Sequence, residues 1–136
     1  MKDMKNSEMP GREFMEEARR DENVIAVIMF GSRVRGGTRK DSDVDVCLVL
    51  KRGRMDRESL FRTELKYTGI AKSDKLDISL FQTLPVFIKT RVLREGKVLL
   101  SKNDEMLYDI AFSTIKEFEE FKKYYYEYLG AVAHAR

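Results

Sequence analysis

A short motif places two small residues at the end of an apolar run and two aspartates soon after it. Gly31-Ser32 follows the apolar run from Val24 to Phe30, and after ten further residues comes Asp43-Val44-Asp45. Small residues at the end of a strand allow backbone N–H groups to face a phosphate. Carboxylates two residues apart on a strand point to one face, so Asp43 and Asp45 can share divalent metal. The motif therefore predicts a site for a nucleoside triphosphate.

A third carboxylate is a candidate to complete this site. Asp77 lies in the alternating segment Lys75 to Phe81, on the side opposite Leu76, Ile78 and Leu80. Magnesium is the expected ion because it prefers carboxylate, phosphate and water ligands, and phosphoryl transfer often uses two such ions. Asp77 is then placed to bind one metal ion and to accept the proton of an attacking hydroxyl. An isolated D-x-D pair is more often a loop or helix-cap feature, and the combination with Gly31-Ser32 and Asp77 is what favours a functional site.

The hydrophobic pattern predicts alternating helices and strands, which is the α/β class. The expected order is a helix (12–20), a strand (24–30), a turn opening into a short helix (31–42), a strand (43–50), a helix (55–68) stopped by Gly69, a strand (75–81), a helix from Pro85 to Glu95-Gly96, an edge strand (97–100) and a final helix (about 103–130). The first helix should bury Phe14, Met15 and Ala18. The helix over 55–68 should bury Leu60, Phe61 and Leu65.

The final helix has an unusual apolar pattern. Asn103 is a candidate N-cap, since Asp104 and Glu105 in the first turn suit the positive end of the helix dipole. The apolar positions then follow heptad spacing: Leu107, Ala111, Thr114, Phe118, Phe121, Tyr125, Tyr128 and Val132. Three interpretations stay open: packing on its own domain, docking of a partner helix or second copy, and modification of its tyrosines.

Length and composition narrow the class of protein. With 136 residues and 43% hydrophobic content, we expect one domain with a core over about 20–101 and no second substrate domain. No apolar run is long enough to span a membrane, and the polar start lacks the apolar core of a signal peptide, so we expect a cytoplasmic protein. The one cysteine, Cys47, lies in an apolar run and is expected to be a buried reduced thiol.

Charge is high but nearly balanced. The net charge is +3 and 36% of residues are charged, which suits an ion-paired surface as well as a nucleic-acid binder. Two basic groups stand out, Arg33, Arg35, Arg39 and Lys40 around the motif and Lys51, Arg52, Arg54 and Arg57 after the second strand. Few aromatic residues separate these charges, so we expect them to offset the charge of a triphosphate rather than to bind nucleic acid, and a solvated surface segment remains the alternative.

These residues resemble a known family. The stretch from Gly31 to Gly36, followed by Ser42 to Val46, resembles the signature of the polymerase-beta-type nucleotidyltransferase superfamily. It is most similar to the minimal nucleotidyltransferases (MNT), the small partners of HEPN-domain proteins in prokaryotic toxin–antitoxin pairs. Leu76-Asp77-Ile78 and the stretch 92–99 are also similar to that family, so the resemblance covers about residues 20–101. It implies a nucleotidyltransferase fold, with a small mixed β-sheet flanked by helices and followed by a long C-terminal helix.

The resemblance also implies roles for individual residues. Gly31 and Ser32 would contact the β- and γ-phosphates, and Arg35 lies where many members have a basic residue. Asp43 and Asp45 would hold two Mg²⁺ ions, and Asp77 would be the third catalytic carboxylate. The implied activity is transfer of a nucleotide, AMP from ATP, to a tyrosine of a HEPN-type toxin.

Three alternatives remain open at the level of sequence. They are nucleotide transfer to a small molecule or an RNA end, a binding module that silences its partner without catalysis, and nucleic-acid binding without chemistry. A homodimer through the final helix is also compatible with its apolar pattern.

Overall fold

The computed structural model describes residues 11–31, 44–53 and 56–135, and within these ranges four strands form one mixed sheet. The strands are β1 (Val24–Phe30), β2 (Val44–Leu50), β3 (Leu76–Leu80) and β4 (Lys97–Ser101), in the order β3-β2-β1-β4. β1 pairs antiparallel with both β2 and β4, whereas β2 and β3 are parallel. The helices are α1 (Arg12–Arg20), α2 (Arg57–Asp74), α3 (Val86–Glu95) and α4 (Asp104–His134). The predicted mixed sheet with flanking helices and a long C-terminal helix is confirmed.

The sheet is covered on both faces, which explains the uninterrupted apolar sequence of its central strand. One core lies between the sheet and helices α1 and α2, and includes Phe14, Val27, Leu48 and Tyr67. A second core lies on the other face, beneath α3 and α4, and includes Ile28, Cys47, Val49, Phe81, Val92, Leu107 and Ile110. Each fully buried aliphatic or aromatic side chain contributes about 1.5–3 kcal/mol, so the two faces of β1 and β2 hold the fold together.

Most of the predicted element boundaries and inward faces are confirmed. Helix α1 buries Phe14, Met15 and Ala18, and α3 begins after Pro85 and ends before Gly96. Burial raises the pKa of the Cys47 thiol to about 12, as expected for an unreactive core cysteine. The predicted turn and short helix after Gly31 lie outside the described residues.

The prediction for α2 is wrong in two respects. Gly69 does not stop the helix, which runs on to Asp74 and ends with Lys75 in a left-handed conformation (φ 54°). Phe61 and Leu65, predicted to be buried, are 60% and 57% exposed. The face that packs on the sheet carries Leu60, as predicted, together with Tyr67, Ile70 and Ala71. Burial of Ile70 and Ala71 outweighs the cost of about 1 kcal/mol for an exposed glycine within a helix.

Helix α4 confirms its predicted cap and extends beyond its predicted end. The Asn103 side chain accepts a hydrogen bond from the Met106 N–H at 3.0 Å, and the helix continues to His134 rather than to about residue 130. Its buried residues, Leu107, Ile110 and Thr114, all lie in the first half. The heptad stripe therefore packs on the domain only over that half. Of the helices in the described ranges, none is long and apolar enough to cross a membrane.

One carboxylate joins the end of α1 to α2. Asp21 accepts hydrogen bonds from the Tyr67 hydroxyl at 2.8 Å, the Lys66 ammonium at 3.1 Å and the Asn23 N–H at 3.0 Å. Its backbone carbonyl also accepts a hydrogen bond from Lys102, beyond the end of β4. Burial alone would raise the pKa of Asp21, but the hydrogen bonds from Asn23, Tyr67 and Lys66 outweigh it and hold the pKa below its usual value.

We predict that Asp21→Asn lowers the free energy of unfolding by about 1–2 kcal/mol at neutral pH, because the charged acceptor is lost. A lowered folded-state pKa stabilises the protein above the unfolded-state value of about 3.9 and ceases to do so as the pH falls below it. The stability difference between wild type and variant should therefore shrink in acid. Urea denaturation at several pH values measures it.

The control is Glu16→Gln, which breaks the exposed ion pair with Arg12. Exposed pairs contribute less than about 1 kcal/mol, so this variant should unfold close to wild type. Equal effects of the two substitutions, or an Asp21→Asn difference independent of pH, would contradict the role given to Asp21.

Candidate active site

The parallel pairing of β2 with β3 brings two of the predicted carboxylates together. Asp45 and Asp77 are direct partners in the strand register, so their backbones are about 4.8 Å apart. Residues on either side of Asp45, namely Val44 and Val46, pack against the α1 and α2 core. Because side chains alternate along a strand, Asp45 and Asp77 share the opposite face, which α3 and α4 cover further along the sheet. Asp45 is half-buried and Asp77 is exposed.

Gly31 lies against the first of these carboxylates. Phe30, the last residue of β1, pairs with Asp45, and Gly31 follows with φ +92°, a conformation that favours glycine. A Cβ atom at Gly31 would overlap the Asp45 carboxylate oxygen Oδ2 and lie 3.2 Å from its Cγ. The absence of a side chain at Gly31 therefore leaves the space that the Asp45 carboxylate occupies. This gives a structural reason for the glycine in the sequence motif.

A cavity of about 200 Å³ opens beside Gly31, between the end of β1 and α3. Its walls are formed by Phe30, Gly31, Ile88, Arg91, Val92 and Glu95. The Arg91 guanidinium and the Glu95 carboxylate are 3.9 Å apart, and Arg91 is half exposed, so this cation can turn toward a bound anion. The cavity is smaller than a typical pocket of 300–1,000 Å³, so a nucleotide would occupy it only in part.

The end of α3 is held close to β1 by a second glycine. A Cβ atom at Gly96 would lie 2.5 Å from Ile28 Cγ2 and 3.3 Å from the Met29 carbonyl oxygen. Without a side chain there, the chain passes directly over β1 and places Arg91 and Glu95 beside Gly31. The sequence pattern predicted the bounds of α3 but neither Arg91 nor Glu95 as a site residue, because no local signal shows where a helix end docks.

Not all of the predicted site residues can be placed. Gly31, Asp45 and Asp77 lie together at one end of the sheet, whereas Ser32, Arg35 and Asp43 fall outside the described residues. Within the ranges that the structure describes, no group of three or more His, Cys, Asp or Glu side chains could hold a metal ion. The shared role of Asp43 and Asp45 therefore stays a prediction.

The oxygen donors present do fit a hard divalent cation. Asp45 and Asp77 lie side by side on neighbouring strands and carry carboxylates, which are the ligands that Mg²⁺ prefers, and the missing side chain at Gly31 leaves room for the Asp45 carboxylate. Such a site needs further oxygen ligands, and phosphate groups supply them in enzymes that act on nucleotides. Two aspartates on neighbouring strands of a mixed sheet, beside a glycine with positive φ, are therefore a candidate site for a cation with a phosphate-bearing ligand.

The comparison with protein families identifies this class. The family described as Polymerase beta, Nucleotidyltransferase matches residues 13–105, well over half of the chain, and the chain belongs to that family. The matched region contains Gly31, Asp45 and Asp77. The resemblance found in the sequence is confirmed.

A curated relative from Methanocaldococcus jannaschii is 31% identical over 83 residues and is named "Putative protein adenylyltransferase". The match spans 61% of the length of each protein.

Two solved structures share the fold. A chain in the crystal structure of a toxin-antitoxin with AMP-PNP has a TM-score of 0.60 and 17% identity, and the match covers 82% of this chain and 89% of that chain.

The second structure is that of a tri-AMPylated Shewanella oneidensis HEPN toxin in complex with MNT antitoxin. A chain in it has a TM-score of 0.55 and 14% identity, with 82% of both chains covered. Because the sequence identities are low, the similarity to these two structures concerns the fold alone, and that fold is the nucleotidyltransferase fold.

We predict that Gly31→Ala lowers the free energy of unfolding by about 1–2 kcal/mol, because a side chain at this φ is strained and its Cβ would displace the Asp45 carboxylate. Urea denaturation provides the value. The matched control is Gly69→Ala, since Gly69 lies within α2 with no atom within 4 Å of an added Cβ. That variant should be more stable than wild type by up to about 1 kcal/mol. A stabilising effect of both substitutions would contradict the geometry described for Gly31.

Proposed function

We propose that this protein is a Mg²⁺-dependent nucleotidyltransferase that transfers AMP from ATP to an acceptor hydroxyl. The acceptor is a tyrosine of a HEPN-type toxin, so the protein acts as the antitoxin of a toxin–antitoxin pair. The observation that carries the proposal is the pairing of Asp45 with Asp77 beside Gly31, in a chain of the nucleotidyltransferase family.

Two comparisons support ATP as the nucleotide substrate. The curated relative is named as an adenylyltransferase, and one of the solved structures with this fold contains the ATP analogue AMP-PNP. The cavity beside Gly31, with Arg91 at its wall, offers a cationic partner for one end of a nucleotide.

We place the phosphates of the nucleotide at the end of β1, beside Gly31. In this proposal Gly31 and Ser32 contact the β- and γ-phosphates through backbone N–H groups, and Arg35 offsets their charge. Asp43, Asp45 and Asp77 bind two Mg²⁺ ions. When bound, these ions would neutralise charge on the phosphates and on the leaving pyrophosphate.

The residues of the chain then position and deprotonate the acceptor. The hydroxyl oxygen attacks the α-phosphorus in line, forming a new P–O bond, while the bond to the bridging oxygen breaks and pyrophosphate leaves with the electron pair. The exposed Asp77 carboxylate accepts the hydroxyl proton. The half-buried Asp45 stays in place against Gly31, so the protein contributes mainly fixed geometry and fixed charge.

The acceptor and partner are supported by the second solved structure, in which a HEPN toxin is AMPylated and bound to an MNT antitoxin. A toxin partner for this chain follows by analogy of fold and is part of the proposal. The single-domain organisation over residues 1–136 and the cytoplasmic location expected from the sequence belong to it as well.

The test is transfer of radioactive label from α-labelled ATP, with Mg²⁺, into a lysate of the source organism. We expect a labelled protein with wild type and none with γ-labelled ATP. Asp45→Asn and Asp77→Asn should each reduce transfer by at least about 100-fold, because the first removes a charged oxygen donor and the second the proton acceptor. Both changes preserve side-chain size.

The matched control is Glu64→Gln, which removes an exposed carboxylate on α2, on the opposite face of the sheet. This variant should transfer label like wild type. Undiminished transfer by Asp45→Asn and Asp77→Asn would overturn the mechanism. If the doubly substituted protein transfers no label yet still neutralises its partner toxin, the protein silences the toxin by binding alone.

A further inference from the structure

The second half of α4 carries an apolar stripe that its own domain does not cover. The first half packs on α3 and β1 through Leu107, Ile110 and Thr114. Beyond Phe118 the stripe residues Phe121, Tyr125, Tyr128 and Val132 are 43%, 49%, 65% and 46% exposed. Residues 118–135 span about 27 Å of helix. Exposed aromatic residues repeated over such a length indicate an interaction surface.

The residues of the stripe are regularly spaced along one side of the helix. Spacings of three and four residues place Phe118, Phe121, Tyr125, Tyr128 and Val132 on one seam, as in a coiled coil. The ring centroids of Phe118 and Phe121 are 6.4 Å apart, and those of Phe121 and Tyr125 are 6.0 Å apart, both in stacked arrangements. The rings thus contact one another before any partner binds, which lowers the entropy lost on association.

We propose that two copies of this protein associate through an antiparallel pairing of residues 118–135, which are the second half of α4 and its C-cap Ala135. The orientation follows from the first half of the same seam, which faces its own sheet and α3. A parallel second helix would bring its attached domain into the space that the first domain fills. An antiparallel helix places the two domains at opposite ends of the paired segment, where they do not collide.

When two copies of this segment are aligned antiparallel, apolar and aromatic residues face each other along the seam. Aligning the two copies about the middle of the segment places Tyr125 opposite Tyr128 of the second copy, and Phe121 opposite Val132. The positions flanking this seam are Lys122, Tyr124, Leu129 and Ala131, of which one is charged. The other charged residues of this segment, Glu119, Glu120, Lys123 and Glu127, lie away from the seam. Association therefore creates little like-charge repulsion.

The available area is sufficient for a dimer of moderate affinity. A buried aromatic side chain contributes 150–250 Å², so the exposed parts of the seam and its flanking Tyr124 and Leu129 offer on the order of 600 Å² per copy. Standard stable interfaces bury about 800 Å² per partner, and the smaller ones about 600 Å². A second copy thus covers the stripe without any additional partner.

The first test is sedimentation equilibrium of the full chain, in which we expect a species of twice the 15.9 kDa monomer mass. The double variant Tyr125→Glu/Tyr128→Glu should weaken association by at least about 30-fold, since truncating or charging central aromatic anchors costs 2 kcal/mol or more. The matched control, Tyr108→Glu/Phe112→Glu, changes two exposed aromatic residues of α4 off the paired seam and should dimerise like wild type. A monomeric wild type, or a dimer unaffected by the seam substitutions, would overturn the proposal.

The second test fixes the direction of pairing by disulfide formation, and Cys47 does not interfere because it is buried. Mixed Tyr125→Cys and Tyr128→Cys proteins should form the mixed disulfide at least about tenfold faster than either protein links to itself. Parallel pairing would instead link Tyr125→Cys to its own copy, and that result would contradict the antiparallel model. Neither test depends on nucleotide transfer.

Discussion

The parallel register between β2 and β3 is the constraint on which the site depends. A parallel pair cannot be joined by a tight turn, so α2 must cross from the end of β2 back to the start of β3. The register places Asp45 beside Asp77, and a slip of one residue would move Asp77 to the α2 face of the sheet. Packing of Leu76 and Leu80 into the core under α1 and α2 prevents that slip. The hydrophobic core thus determines where the carboxylates meet.

A cluster of charged and polar side chains outside the site holds the crossover helix α2 in place. Helix α2 is held at its middle by Tyr67, which is fully buried, packs edge-on against Phe14 and donates a hydrogen bond from its hydroxyl to Asp21. Burial and this hydrogen bond raise the pKa of the Tyr67 hydroxyl, which therefore stays a donor across the physiological range. Lys66 adds ion pairs to Glu17 at 2.7 Å and to Asp21 at 3.1 Å. This cluster joins α1 to α2 and so supports the strand pairing from the far side of the sheet.

Sequence periodicity predicted the strands and α1, because those segments bury faces that repeat every two or 3.6 residues. It was wrong where packing outweighs local preference, at Gly69 within α2 and at the exposed Phe61 and Leu65. It could propose Asp77 as a partner of Asp45 only from matching patterns, since their register depends on the crossover. No local sequence pattern indicated that Arg91 would line a cavity beside Gly31. The heptad of α4 was visible throughout, and only the structure shows that its second half is uncovered.

The most direct test of the site is anomalous diffraction from crystals grown with Mn²⁺ and a non-hydrolysable ATP analogue. We expect manganese peaks in contact with the Asp45 and Asp77 carboxylates, with the phosphates of the analogue against Gly31. The adjacent position of these residues on neighbouring strands makes such shared coordination possible. Nucleotide bound elsewhere on the protein, or phosphates at Gly31 with no manganese at either aspartate, would contradict it.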